Sequence, residues 1–261
     1  MLNSPGGDPN AAEKLLIMCR ERFTEGFYTI VPNYAKSAAT LICLGSDKIL
    51  MGYMAELGPV DPQIQLDPFL GRSLPARSFI DGLESVRTKI KKDGDPPTMY
   101  LSMLSQIRPE VIAMCQSAID DSQATAEKWL KRHMLKDNPA QAELVANWLS
   151  NGVSYKSHGK VIDFAEVRDV LKLNVEKIDS GSKLWNYLWE LYVRSAQFMH
   201  ATRSAAKLFE NETISLTMNV ELVQPPQLRP AQQPQIPPAP TPPPTPREPA
   251  VSPPTTGKEQ P

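Results

Sequence analysis

Long apolar runs are missing from this sequence: no stretch approaches the roughly eighteen consecutive apolar residues of a transmembrane helix. Cysteine is scarce too. The 3 present, Cys19, Cys43 and Cys115, are odd in number and scattered, which excludes a disulfide framework or a cysteine metal site and suits a reducing compartment. Their apolar, helix-like surroundings make them small buried hydrophobes. Excess charge of either sign is absent, the formal net charge being −1, so nothing argues for nucleic acid or an acidic lipid surface as partner. A basic-then-apolar leader does not open the chain, and a cytoplasmic protein is expected. Without a Gly-x-Gly-x-x-Gly run there is no dinucleotide fingerprint, and no cofactor or metal is expected.

Proline, by contrast, is plentiful at 26 residues, and it gathers at one end. From about Glu221 onward Pro, Gln and Thr dominate, as in Pro242-Pro243-Pro244-Thr245-Pro246. Such a segment cannot bury enough apolar surface to fold, and residues 217–261 are expected to be a disordered tail. An alternative use is docking into an aromatic groove as a polyproline helix.

The rest reads as α/β. Met1 to Asp8 is a loop carrying Gly6-Gly7, where paired glycines permit positive φ and let amides approach a ligand. Pro9 to Phe23 is an amphipathic helix, with Leu15, Leu16, Met18 and Cys19 expected inward. A strand at Phe27–Val31 follows, then a helix from about Ser37 and a strand at Asp47–Met51. A parallel sheet should offer a strand before the Gly-Gly loop. None is evident, and the expectation is a sequence shortened at its N-terminus. Ala55 to Gln63 is a loop stiffened by Pro59 and Pro62. Helices are expected from Phe79 to Ile90, near Met99, and from Pro109 to about His133. Others are expected at Ala142–Leu149, Phe164–Leu171 and Leu184–Phe209, with a turn at Ser157–Lys160. The last helix carries Trp185, Tyr187, Trp189 and Tyr192, a stripe suited to a core or an interface. Residues 1–138 are expected to be the main α/β core and 139–216 a small helical segment.

Ser37 sits between the strand and the helix, flanked by Ala35, Ala38 and Ala39, with nothing bulky around its hydroxyl. A serine at such a turn either caps the helix or presents a nucleophile. Acyl transfer needs a nucleophile, a base, and donors for the developing oxyanion. Ser37 supplies the first. The amides of Ala38, Gly6 and Gly7 supply the donors if both loops end adjacent parallel strands at one sheet edge.

In order, Asn3-Ser4-Pro5-Gly6-Gly7, Ala35-Lys36-Ser37-Ala38-Ala39, Asp47-Lys48-Ile49-Leu50-Met51 and Glu56-Leu57-Gly58-Pro59-Val60-Asp61-Pro62-Gln63 resemble the Clp protease and signal-peptide-peptidase superfamily. Within it the chain looks most like the serine dehydrogenase proteinase group, relatives of signal peptide peptidase A, over residues 2–135. The resemblance implies a ClpP/crotonase-like fold of stacked ββα units, serine peptidase activity on peptide or protein substrates, and a homo-oligomer. Peripheral contact with a membrane is compatible with it. It assigns Ser37 as nucleophile and the Gly6-Gly7 loop to the oxyanion hole. The alanines after Ser37 depart from the glycine usual in its relatives.

The general base stays open. Clp subunits use histidine and aspartate, signal peptide peptidases lysine. Lys89 stands at a similar spacing from Ser37 as the signal-peptide-peptidase lysine, and it must be desolvated to act as a base. Lys36 and His158 are the other candidates. An inactive ClpP-like scaffold or assembly subunit is the alternative function. A crotonase-type acyl-CoA enzyme ranks behind both, for want of an acidic pair or a CoA signature.

Overall fold

Two short ladders of parallel strands organise the molecule, seen in a computed structural model that describes residues 1–65, 73–105, 108–155, 157–202 and 205–219. Strands β1 (Tyr28–Val31), β3 (Lys48–Met51) and β7 (Val175–Lys177) form one sheet in the order β1-β3-β7, all parallel. Strands β2 (Tyr34–Ala35) and β4 (Glu56–Leu57) form the second ladder, also parallel. Burial alternates along β1 and β3, so Val31, Ile49 and Met51 point into the core while neighbours emerge, the period-two pattern of a half-buried strand.

The N-terminal residues pair with the strands that follow. Leu2 donates its amide to Ile30 O at 2.7 Å, Ser4 donates to Tyr34 O at 3.1 Å, and Lys36 donates to Ser4 O at 3.0 Å. Ser4 and Ala35 thus make an isolated parallel bridge just before the diglycine loop. On the far side Leu57 and Ile162 form an antiparallel bridge through bonds of 2.9 and 3.1 Å.

Helices close over the sheets, and their ends are written in the sequence. Helix α1 (Pro9–Arg22) starts at Asp8, whose carboxylate accepts the Asn10 amide at 2.8 Å, with Pro9 at the first helical position. It buries Ala12 and Leu16, but Met18, expected inward, is exposed. Helix α2 (Ala38–Leu44) is built of small and apolar residues and is buried on nearly every side. After it come an antiparallel pair β5 (Gln63–Ile64) and β6 (Leu74–Pro75), helix α3 (Ala76–Thr88), a π-helical turn Lys89–Asp93 and a 3₁₀ turn Pro97–Tyr100. Helices α4 (Leu101–Leu104), α5 (Pro109–Arg132) and α6 (Pro139–Ser150) follow. The segment expected as a helix at Phe164–Leu171 is helical, with α geometry at 164–165 and a π-helical turn over Glu166–Val170.

Helix α7 (Lys183–Ala201) begins where the Ser182 hydroxyl accepts the Trp185 amide at 3.1 Å. It ends eight residues sooner than the pattern predicted; β8 (Ala205–Glu210) pairs antiparallel with β9 (Ser215–Asn219) instead. Asn211 makes that turn, its carbonyl side chain accepting the amides of Thr213 and Ile214.

The main core joins Val31, Leu44, Ile49, Met51 and Leu57 to Leu130, Val145, Leu149, Ile162, Val167 and Leu171, so residues on both sides of position 138 share it. Residues 1–203 form one compact unit, and the hairpin belongs to another. Residues 220–261, which hold most of the expected Pro-rich tail, lie outside the described residues.

Candidate active site

Three loops leave the carboxyl ends of three neighbouring parallel segments, two of them strands and one an isolated bridge. The diglycine turn follows Ser4, Ser37 follows β2, and Gly58–Asp61 follows β4. Ligand sites of open α/β sheets lie at this edge.

Ser37 holds φ 52° and ψ −121°, a backbone conformation that residues with a Cβ rarely adopt. Hydrogen bonds fix it on both sides. Its amide donates to Pro59 O at 3.1 Å, its carbonyl accepts from Leu41 at 3.2 Å, and Ala39 donates to Lys36 O at 2.9 Å. Below the turn the fully buried Thr40 hydroxyl lies 2.8 Å from both Ala35 O and Gly58 O, tying β2 to the end of β4. Although Ser37 stands at the N-cap position of α2, its side chain makes no capping bond. The capping reading therefore falls, and the half-buried hydroxyl is left available.

The diglycine turn is pressed against this serine. Gly6 has φ 108°, and a Cβ built on it would sit 2.8 Å from Ser37 Cβ, 2.8 Å from Lys36 O and 3.3 Å from the Ala38 amide nitrogen. Only a residue without a side chain fits so close an approach. The Gly6 amide is already taken, donating to Ser4 Oγ at 3.1 Å. Of the glycine pair, Gly7 is the one whose amide has no partner among the described residues.

The lysine candidates fare differently. Lys36 points beneath the turn, its ammonium 2.6 Å from Glu56 Oε1, 3.1 Å from Lys160 O and 3.4 Å from Leu57 O. All three of its donors are engaged, which makes it an anchor between β4 and the 157–162 segment. Lys89 lies exposed at the start of the π-helical turn after α3. Among the described residues no hydrogen bond or ion pair joins its side chain to the serine turn, and the burial a lysine base requires is not there.

His158 Nδ1 lies 2.7 Å from Asp61 Oδ1, and the Asp61 side chain is only 3% exposed. Its other oxygen accepts from Gln63 Nε2 at 3.0 Å. Tyr155 stands beside this carboxylate and donates to Leu149 O at 2.5 Å; burial, with the charge of Asp61 added, pushes its hydroxyl well above the ordinary phenol range. Sequence reasoning took Asp61 as part of a stiff loop and left the pairing unseen.

Parallel strands ending in a strained serine turn, with a glycine turn seated on it, give an α/β arrangement of the kind that can present a serine hydroxyl at a sheet edge. The match of residues 1–200 narrows that description: the chain belongs to the family of ClpP-like SDH-type serine proteinases. Among curated proteins it is similar to two from Methanocaldococcus jannaschii. It is 34% identical to the uncharacterized protein MJ0137 over 46% of this chain and 37% of that one. It is 39% identical to the uncharacterized protein MJ1495 over 24% of this chain and 22% of that one. The matched region thus spans little more than a third of the longer-matched relative. No solved structure matches the chain. Among the described residues no helix is long and apolar enough to cross a membrane.

Proposed function

We propose that the chain hydrolyses peptide bonds through an acyl-enzyme on Ser37. The observation that carries this reading is the strained, uncapped serine with Gly6 packed against it. Strain of this kind costs about 1–3 kcal/mol and persists only when its surroundings impose it. Its use here is to aim Oγ outward from the sheet edge.

In the reaction Oγ attacks the scissile carbonyl carbon, and the carbonyl electron pair moves onto oxygen. That oxygen is received by the amides of Ala38 and Gly7. Ala38 is the first residue of α2 and has no intrahelical acceptor, and the helix end adds a favourable partial charge. Losing one such donor typically lowers turnover about 100- to 1000-fold. The amine leaves, and water hydrolyses the ester.

The pairings of β1 with β3 and β2 with β4, with α2 between, support stacked ββα units as the repeating element. Assembly into a homo-oligomer is supported by α7, whose exposed Leu184, Tyr187, Leu191 and Phe198 recur at helical spacing. The test of the reaction is labelling by an active-site-directed fluorophosphonate. Wild-type protein should be labelled on Ser37 and Ser37→Ala should not; equal labelling of the two overturns the reading.

A further inference from the structure

We propose that the cleft at the carboxyl end of the β1-β3-β7 sheet binds a polyproline helix, and that the Pro237–Pro246 stretch of a second copy of this chain fills it. The proposal does not depend on Ser37, whose turn follows the other ladder of strands.

The cleft is assembled by the turns that follow three parallel strands. Pro32 and Asn33 come after β1, Tyr53 and Met54 after β3, and Ser180 after β7. Trp185 and Trp189 of α7 complete the wall around about 260 Å³. Ligand sites of parallel sheets lie outside this end of the strands. A glycine lets the aromatic wall approach. A Cβ on Gly52 would come 2.5 Å from Trp185 Cη2 and 2.6 Å from Pro32 O, so any larger residue would push the indole off the strand ends. Trp189 stacks on Trp185 with ring centroids 5.4 Å apart. Tyr192 extends the row at 5.1 Å from Trp189, and its hydroxyl accepts from Asn33 Nδ2 at 2.9 Å. The Lys177 ammonium stands 4.8 Å over the Tyr53 ring and holds it in place.

The lining decides what fits. None of the lining residues carries a charge, and the volume falls below the roughly 300–1,000 Å³ of small-molecule sites. The Trp129 indole donates to Glu13, but among the described residues the indoles of Trp185 and Trp189 meet no acceptor. Aromatic faces with spare N–H donors suit a ligand that offers apolar rings and unpaired carbonyls. A polyproline helix is such a ligand. Proline removes backbone donors, the helix makes no internal hydrogen bonds, and its carbonyls point outward.

The sequence carries that ligand in register. Pro237, Pro240, Pro243 and Pro246 recur at every third residue. A polyproline helix turns once in three residues, so all four share one face and form a ridge about 28 Å long. In the same conformation residues 220–236 can span up to about 50 Å, against a radius of gyration of about 17 Å for a unit the size of residues 1–203. A ridge from one chain therefore reaches the cleft of a neighbour. The exposed Leu184, Tyr187, Leu191 and Phe198 lie on a different face of α7 from Trp185, Trp189 and Tyr192. Association through the first face leaves the cleft open.

The experiment uses full chains carrying photo-methionine, a diazirine analogue that puts a photoreactive group at Met54 in the cleft. Isotopically light and heavy chains are mixed dilute, concentrated and irradiated, and the links from Met54 are located by mass spectrometry. Met54 should link to the peptide holding Pro237–Pro246, with mixed-isotope pairs as frequent as same-isotope pairs. Tyr53→Ala removes an exposed ring from the wall and should lower the yield of this link about 10-fold. The double variant Pro240→Ala, Pro243→Ala breaks the ridge without touching the core and should do the same. Pro225→Ala with Pro226→Ala, outside the three-residue register, should leave the yield unchanged. No link from Met54 to the tail, or links confined to one isotope, overturns the proposal. So does a wild-type yield in both the Tyr53 variant and the ridge variant, or an equal loss in the out-of-register pair.

Discussion

Among the described residues two other than glycine hold a positive φ, Ser37 at 52° and Lys172 at 54°, and they do so for opposite reasons. Lys172 ends a helix. The Leu171 amide donates to Glu166 O at 3.0 Å, and the Leu173 amide reaches back to Val167 O at 3.2 Å, so the left-handed residue between them closes the π-helical turn. Buried Leu171 and Leu173 flank it while the lysine side chain stays in solvent. Its backbone serves the fold, and glycine would serve there as well. Ser37 begins a helix, where positive φ satisfies no helical amide and the side chain makes no cap. The difference teaches that strain is informative only after the local hydrogen bonds have been counted: what they explain is architecture, and what they leave over is a candidate for chemistry.

The comparison can be broken most forcefully at Gly6. Gly6→Ala places a methyl 2.8 Å from Lys36 O and Ser37 Cβ on a backbone with φ 108°, and Ser37 labelling should fall about 100-fold or more. Labelling at the wild-type rate would mean that the two turns do not act together. Next is the support beneath. Thr40→Val removes the buried hydroxyl that lies 2.8 Å from Ala35 O and Gly58 O and should lower unfolding free energy by about 2 kcal/mol in urea titrations. Glycine at each strained position sharpens the contrast further. Lys172→Gly should raise stability by about 1 kcal/mol with labelling unchanged, and Ser37→Gly should raise it by a similar amount with labelling abolished. A destabilised Ser37→Gly protein would show that the turn is not strained.

The smallest effect lies far from both turns. Glu13 accepts from Lys128 at 2.7 Å and from Trp129 at 2.9 Å, and the bond to Lys128 holds its carboxyl below the usual range. A depressed carboxylate stabilises the fold above its unfolded pKa, about 4.3, and that contribution is lost as pH falls through the folded value. Glu13→Gln should therefore cost less than about 1 kcal/mol at pH 7 and shallow the acid limb of the melting curve. An unchanged acid limb would discount the pair.

Much of the serine side of the site was legible in the sequence. A small-residue turn between an apolar strand and an apolar helix is a local pattern, and the diglycine run is another. Their convergence followed from the geometry of parallel strands. What could not be read is whatever depends on pairing across long separations. Leu57 and Ile162 carry no local mark of their bridge, so Asp61 looked like loop chemistry and His158 like a turn residue. Lys89 drew attention through spacing alone, and spacing says nothing about burial. In the last third the apolar and aromatic run from Leu184 to Phe209 reads as one helix. The break after Ala201 is signalled only by Asn211, whose turn makes β8 and β9 a hairpin.

The anchor from Lys36 to Lys160 joins residues 124 positions apart. During synthesis the serine turn leaves the ribosome long before the segment that fastens it. For that interval the serine turn stands without the carbonyl that Lys36 later meets. The wiring of the strands therefore makes completion of the turn wait on the later stretch.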